Sequence, residues 1–176
     1  MLPRRFHFMP QTGFTLVELV IVIVVLGIIS VYAVMKSVSQ AEVTLFSQAQ
    51  KLAGDIRHAQ TLAYTSGNRM RLTIDSGTYS VCVAGAPAAP CNTTSNDSTS
   101  NDFRVTLQKG VTLSGSTALP AMLDFNSLGR PIDSSNGTPV PGATSYCLNI
   151  GSSCGETVSV AALTGVVKVC PPATCP

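Results

Sequence analysis

The 176-residue chain has no tryptophan, two histidines and only 11% charged residues. It also lacks two short motifs of common catalytic sites: no HExxH or P-loop occurs. His7 lies near the N-terminus, and His58 has no nucleophile in its sequence neighbourhood. These absences point away from an enzyme, although residues that assemble only in space leave no such trace. Two histidines and no CxxC point away from zinc, so neither metal nor cofactor is expected. A basic excess is missing too. The net charge of +2 comes from Arg4 and Arg5, and beyond residue 13 nine basic residues face nine acidic ones. Polyanion-binding proteins ordinarily carry such an excess. No proline stands between Pro10 and Pro87, so a long helix is open to that stretch. No internal repeat is visible.

What is present suits an exported, β-rich domain. Ser, Thr, Gly, Asn and Ala fill the second half. The length beyond the N-terminal apolar segment suffices for one modest core. Six cysteines, Cys82, Cys91, Cys147, Cys154, Cys170 and Cys175, all follow that segment and fall into three close pairs. In an exported domain they read as a disulfide framework, with connectivity open.

Residues 1–13 are basic and polar, ending Pro10-Gln11-Thr12-Gly13. Phe14–Met35, FTLVELVIVIVVLGIISVYAVM, follows and is apolar except for Glu18 and a few small polar residues. As a helix it is about 33 Å long, enough to cross a bilayer core. The arginines before it predict a cytoplasmic N-terminus. An ordinary secretory signal would place its apolar run before the cleavage site, near Ser30–Ala33, and would not carry a carboxylate at its start.

From Lys36 to about Ser66 an apolar stripe recurs at helical spacing: Val38, Ala41, Leu45, Ala49, Leu52, Ile56, Ala59 and Ala63. The pattern predicts one helix from Phe14 to Ser66, apolar all round in its first half and one-sided in its second. Gly67 suits a left-handed cap. Beyond it, Met70, Leu72 and Ile74 alternate with polar residues, Ser76-Gly77 makes a turn, and Thr78–Val83 returns. Further strands are expected at Arg104–Gln108, Val111–Ser114, Met122–Phe125, Tyr146–Ile150, Thr157–Ala162 and Val166–Cys170. The polar stretch Ala84–Asp102 and the Pro/Gly/Ser/Asn-rich stretch 131–145 read as loops.

Gly13-Phe14-Thr15-Leu16-Val17-Glu18, running straight into an apolar helix, resembles the signature of type IV prepilins and type II secretion pseudopilins. That resemblance implies cleavage after Gly13, N-methylation of the new terminus Phe14, and an assembly role for the Glu18 carboxylate. An inner-membrane prepilin peptidase would perform both reactions. The physics fits these roles. Glycine disfavours helix at the cleavage site, and a carboxylate inside a spanning helix needs a partner. The Phe14 amine, one turn away or on a neighbouring subunit, supplies one. The pattern QKLAGDIRHAQTLAYTSGNRMRL, a hairpin, then DFNSLGRP, resembles the GspH/FimT group of minor pilins and pseudopilins. It implies a small sandwich-like β head on the helix.

The expected class is therefore α+β, with residues 1–13 as leader, 14–35 as the membrane and assembly half of the helix, 36–66 as its amphipathic half, and 67–176 as the head. The expected protein is a non-catalytic minor or tip-associated subunit of a type IV pilus. Its partners would be the peptidase, the inner-membrane assembly platform, other pilins, and the membrane before assembly. The head would be periplasmic and later part of a filament. Alternatives are a secretion pseudopilin, a major pilin, or a DNA-binding minor pilin. Some DNA-binding members carry Gly-Arg-x-Arg near the C-terminal hairpin. Here the equivalent is Gly165-Val166-Val167-Lys168, which weighs against DNA uptake. Candidate nucleic-acid contacts are Arg69 and Arg71, two apart and so able to share a strand face, and Lys168.

Overall fold

The computed structural model describes residues 13, 15–37, 40–85, 89–91, 102–108, 110–115, 118–171 and 174–175. Two compact units are distinguished, residues 1–40 and 41–176.

The first unit contains helix α1, Leu16–Ser37. Its described side chains, Leu16–Val31, are exposed on every side, as expected of a helix that is apolar all round. Among the described residues no helix is long and apolar enough to cross a membrane. The expected span, Phe14–Met35, extends past them: Phe14 and the side chains beyond Val31 lie outside the described residues.

The second unit opens with α2, Gln40–Ser66. One continuous helix was expected from Phe14 to Ser66; α1 and α2 are its described parts, and residues 38–39 lie outside the described set. The stripe of α2 is buried from Leu45 onward: Leu45, Ala49, Leu52, Ile56, Ala59 and Ala63 all enter the core, and Ala53 joins them. Ala41 stays exposed. Gly67 ends the helix in the left-handed region at φ 69°.

Nine strands follow: β1 (Met70–Ile74), β2 (Thr78–Val83), β3 (Phe103–Thr106), β4 (Val111–Gly115), β5 (Ala121–Phe125), β6 (Pro131–Ile132), β7 (Thr144–Ile150), β8 (Ser153–Val160) and β9 (Val167–Cys170). They form two antiparallel sheets, ordered β3-β2-β1-β5-β6 and β4-β7-β8-β9. The β1–β2 turn links them, since Ser76 O accepts from Leu113 N at 2.7 Å. One apolar core joins α2 to both sheets, with Met70, Leu72, Ile74, Phe103 and Phe125 from the first and Leu113, Tyr146, Leu148, Val158 and Val160 from the second.

Two departures from the expected strands have clear causes. Stretch 131–145 is not all loop: Pro131–Ile132 pairs with β5, and Ile132 bridges to Pro139. Strand β8 begins at Ser153, not Thr157, because Cys154 and Ser153 pair with Asn149 and Ile150 across a register shift. Gly155 within it fits where a Cβ would meet Leu45 Cδ1 at 2.4 Å.

Helix and sheets are also tied by polar contacts. Tyr79 Oη donates to Asp55 Oδ2 at 2.6 Å, and Lys51 Nζ reaches the same oxygen at 3.2 Å. Burial first, then the Asp55 carboxylate, raises the Tyr79 phenol well above its ordinary value. Burial alone raises Tyr146. In the turn after β6, hydrogen bonds from Ser135 hold the Asp133 carboxyl below its ordinary range.

Candidate functional site

The N-terminus of α1 is capped by its own sequence. Thr15 Oγ1 accepts from Glu18 N at 3.3 Å, and Thr15 O accepts from Leu19 N at 3.2 Å. Thr15 is thus the N-cap and Glu18 the third helical residue, the spacing of a capping box. Thr15 was not among the expected site residues. Its signal was legible as Ser/Thr-x-x-Glu ahead of an apolar run. Gly13 and Glu18 are exposed, and the expected new terminus Phe14 lies outside the described residues. Beyond the cap, Leu16, Val17, Leu19 and the Val/Ile/Leu run to Val31 keep between 43% and 79% of their surface exposed.

The outer face of the first sheet is organised differently. The register places Cys82, Arg71 and Asp124 side by side on β2, β1 and β5. Arg71 is buried and grips Asp124 with two bonds, Nε to Oδ1 at 2.6 Å and an Nη to Oδ2 at 2.7 Å. Its guanidinium also donates to Ser134 O at 3.2 Å and to Ala89 O. Arg69 approaches the same Oδ2 at 3.7 Å. A disulfide between Cys82 and Cys91 clips residues 89–91 over this row, and Cys91 N donates to Thr73 Oγ1 at 3.2 Å.

Arg69 and Arg71 do share a face, but Arg71 is buried beneath the clipped segment and committed to Asp124, so it presents no charge to a nucleic acid. Lys168 is exposed on β9 of the second sheet, opposite Ser159, whereas Arg71 lies on β1 of the first. The structure thus brings Arg69 and Arg71 together at Asp124 and places Lys168 on the other sheet.

Cys147 pairs with Cys154 across the β7–β8 hairpin, and Cys170 with Cys175 at the C-terminus. Each cysteine thus pairs with its nearest neighbour in sequence. His58 is half-buried against Phe103, ring centroids 6.1 Å apart, and its buried Nε2 has no hydrogen-bond partner among the described residues. Among those residues no group of acids, cysteines or histidines is placed to hold a metal ion.

A helix laid on two antiparallel sheets, preceded by an exposed apolar helix, defines the type IV pilin-like α+β class. Residues 8–34 match the prokaryotic N-terminal methylation motif, and residues 48–164 match the family described as type II transport protein GspH. The second match spans well over half the chain, and the chain belongs to the GspH family. No curated protein matches its sequence. Its fold is similar to that of the minor pseudopilin EpsH from the type II secretion system of Vibrio cholerae. That likeness has a TM-score of 0.57 at 15% identity, over 78% of this chain and 100% of that one. It is also similar to the type IV minor pilin FimU of Pseudomonas aeruginosa, with a TM-score of 0.52 at 16% identity, over 75% and 92% of the two chains.

Proposed function

We propose that the chain is a non-catalytic minor or tip-associated subunit of a type IV pilus. In this reading it is anchored in the inner membrane by the helix beginning at Phe14, with its N-terminus cytoplasmic and its head periplasmic. Residues 1–13 are the leader, 14–35 the membrane and assembly half of the helix, 36–66 the amphipathic half, and 67–176 the head. The observation that carries the reading is the all-round exposure of apolar side chains on α1, in contrast to α2, whose stripe from Leu45 onward is spent on its own core. Such a surface needs lipid, and later the corresponding helices of neighbouring subunits.

Cleavage after Gly13 by a prepilin peptidase gives Phe14 a free amine, which is then methylated. The amine lies one helical turn from Glu18 and neutralises it, within the chain or across to a neighbour. Across to a neighbour, the pair sets axial register, because an unpaired carboxylate in an apolar bundle is strongly disfavoured. Assembly then runs through the inner-membrane platform, with other pilins as lateral partners. Replacing Glu18 by Ala tests this. The variant is expected to be inserted and cleaved but lost from sheared surface filaments. Recovery in filaments at the unaltered level would refute the role given to Glu18.

A pseudopilin of a type II secretion system is the second reading, favoured by the family match over residues 48–164. Deleting the gene separates the two. Loss of exoprotein release with intact pili selects the pseudopilus, and loss of pili with intact release selects the pilus.

A further inference from the structure

The outer face of the first sheet, the one turned away from the core, carries a second row of side chains beside the Arg71 row. The register aligns Thr73 on β1, Ser80 on β2 and Arg104 on β3. At the usual spacing between strands this row is about 10 Å long. Asp75 and Thr78 stand at its end, where Asp75 N donates to Thr78 O at 2.8 Å. These side chains floor an open groove of about 480 Å³, within the size range of small-ligand clefts. Pro90 and Cys91, held by the bridge to Cys82, and Pro120, just ahead of β5, supply its remaining lining.

The polar groups of the groove are largely unspent. Ser80 keeps only 4% of its surface exposed, yet its Oγ has no hydrogen-bond partner among the described residues. A hydroxyl buried to that degree ordinarily finds one. Thr73 Oγ1 accepts from Cys91 N and keeps its own proton to donate. Asp75 Oδ1 accepts from Ser76 N at 2.7 Å, and Oδ2 has no partner among the described residues. The exposed Arg104 guanidinium pairs with no carboxylate among them. This set selects a ligand. A planar fork of donors matches a carboxylate. Hydroxyls that donate or accept, beside a carboxylate that only accepts, match an array of alcohol groups. An apolar acid would leave Ser80 and Asp75 unpaired, which is unfavourable. A phosphate would meet Asp75 at close range, with Arg104 the one cation among the described lining residues. Those residues include no aromatic ring on which a base would stack.

We propose that this groove binds an acidic saccharide, with its carboxylate on Arg104 and its hydroxyls on Asp75, Thr78 and Ser80. The inference is independent of whether the subunit serves a pilus or a pseudopilus. The test is calorimetric titration of the full-length chain in detergent micelles with glucuronate, galacturonate and N-acetylneuraminate, each against its methyl ester. The ester keeps the hydroxyls and removes the charge. At least one acid is expected to bind at millimolar concentration or below, and its ester about tenfold more weakly. Arg104→Lys keeps the charge but loses the fork, and should weaken binding of that acid about tenfold. Ser80→Ala should weaken it about fivefold. Lys168→Ala, on the other sheet, should leave it unchanged. Arg104 is exposed, so its variant is expected to fold, which unchanged circular dichroism and intact disulfides would show. Failure of all three acids to bind at millimolar concentration would overturn the proposal. So would an ester that binds as well as its acid, inorganic phosphate that binds as tightly, or an affinity indifferent to Arg104→Lys.

Discussion

Arg71 shows how burial decides what a charge is for. Its partner Asp124 is fully buried, and the pair is bidentate. Removing one member leaves the other charged and buried, which is strongly unfavourable. Arg71→Ala is expected to destabilise the head by about 3–5 kcal/mol. Arg69→Ala, at a side chain 38% exposed and 3.7 Å away, should change stability by about 1 kcal/mol or less. Urea denaturation of the two variants measures the contrast, and equal losses would contradict the assignment. Tyr79 makes a second prediction. Its folded pKa lies above its ordinary 10.0, so its contribution is intact below pH 10. Above that pH the unfolded chain ionises first, and the contribution is lost. Stability should therefore fall on the alkaline side, with Tyr146 acting in the same sense. Tyr79→Phe should make that fall shallower, which denaturation midpoints between pH 8 and 11 would show. At Gly165 the positive φ and the crowding by Gln60 and Gly129 combine, so Gly165→Ala should be destabilising by about 1–3 kcal/mol. At Gly110 the φ is similar but the space is open, so alanine there should be less damaging.

At the scale of elements, the disulfide-clipped segment and the cap of α1 are the informative pieces. Losing the Cys82–Cys91 bridge loosens the cover over Arg71 and Asp124. Replacing both cysteines by alanine is expected to cost about 2–4 kcal/mol, more than the same change at Cys170 and Cys175, which close a shorter loop at the terminus. Thermal unfolding of the two variants decides between them. Much of this level was legible in the sequence. Met70, Leu72 and Ile74 alternate as a half-buried strand should, and the structure places all three in the core. The stripe Leu45–Ala63 shows a helix face because every third or fourth residue is apolar. The other face of β1 was not legible. Arg71 and Thr73 read as solvent-facing by alternation, and their cover comes from Ala89, Cys91 and Ser134, far away in sequence. Strand β6 was hidden because two residues flanked by Pro, Gly and Ser carry no period. The Thr15 cap was legible as Thr-x-x-Glu ahead of an apolar run, although it shares its residues with the cleavage motif.

At the scale of the whole molecule, α1 and the head differ in what their surfaces require. The head satisfies itself: α2, both sheets and three disulfides close one core. The described part of α1 satisfies nothing internally. Its exposed Leu, Val and Ile side chains suit two successive surroundings, lipid and then a bundle of like helices. The Gly13-Phe14 junction and Glu18 are where this account assigns the passage from one to the other. The most direct measurement is the intact mass of the protein recovered from membranes and from sheared filaments, with and without reductant. The account predicts a chain beginning at Phe14 and carrying one added methyl group, with three disulfides, present in the filament fraction. A chain that retains residues 1–13, or that begins near Ser30–Ala33, would contradict it.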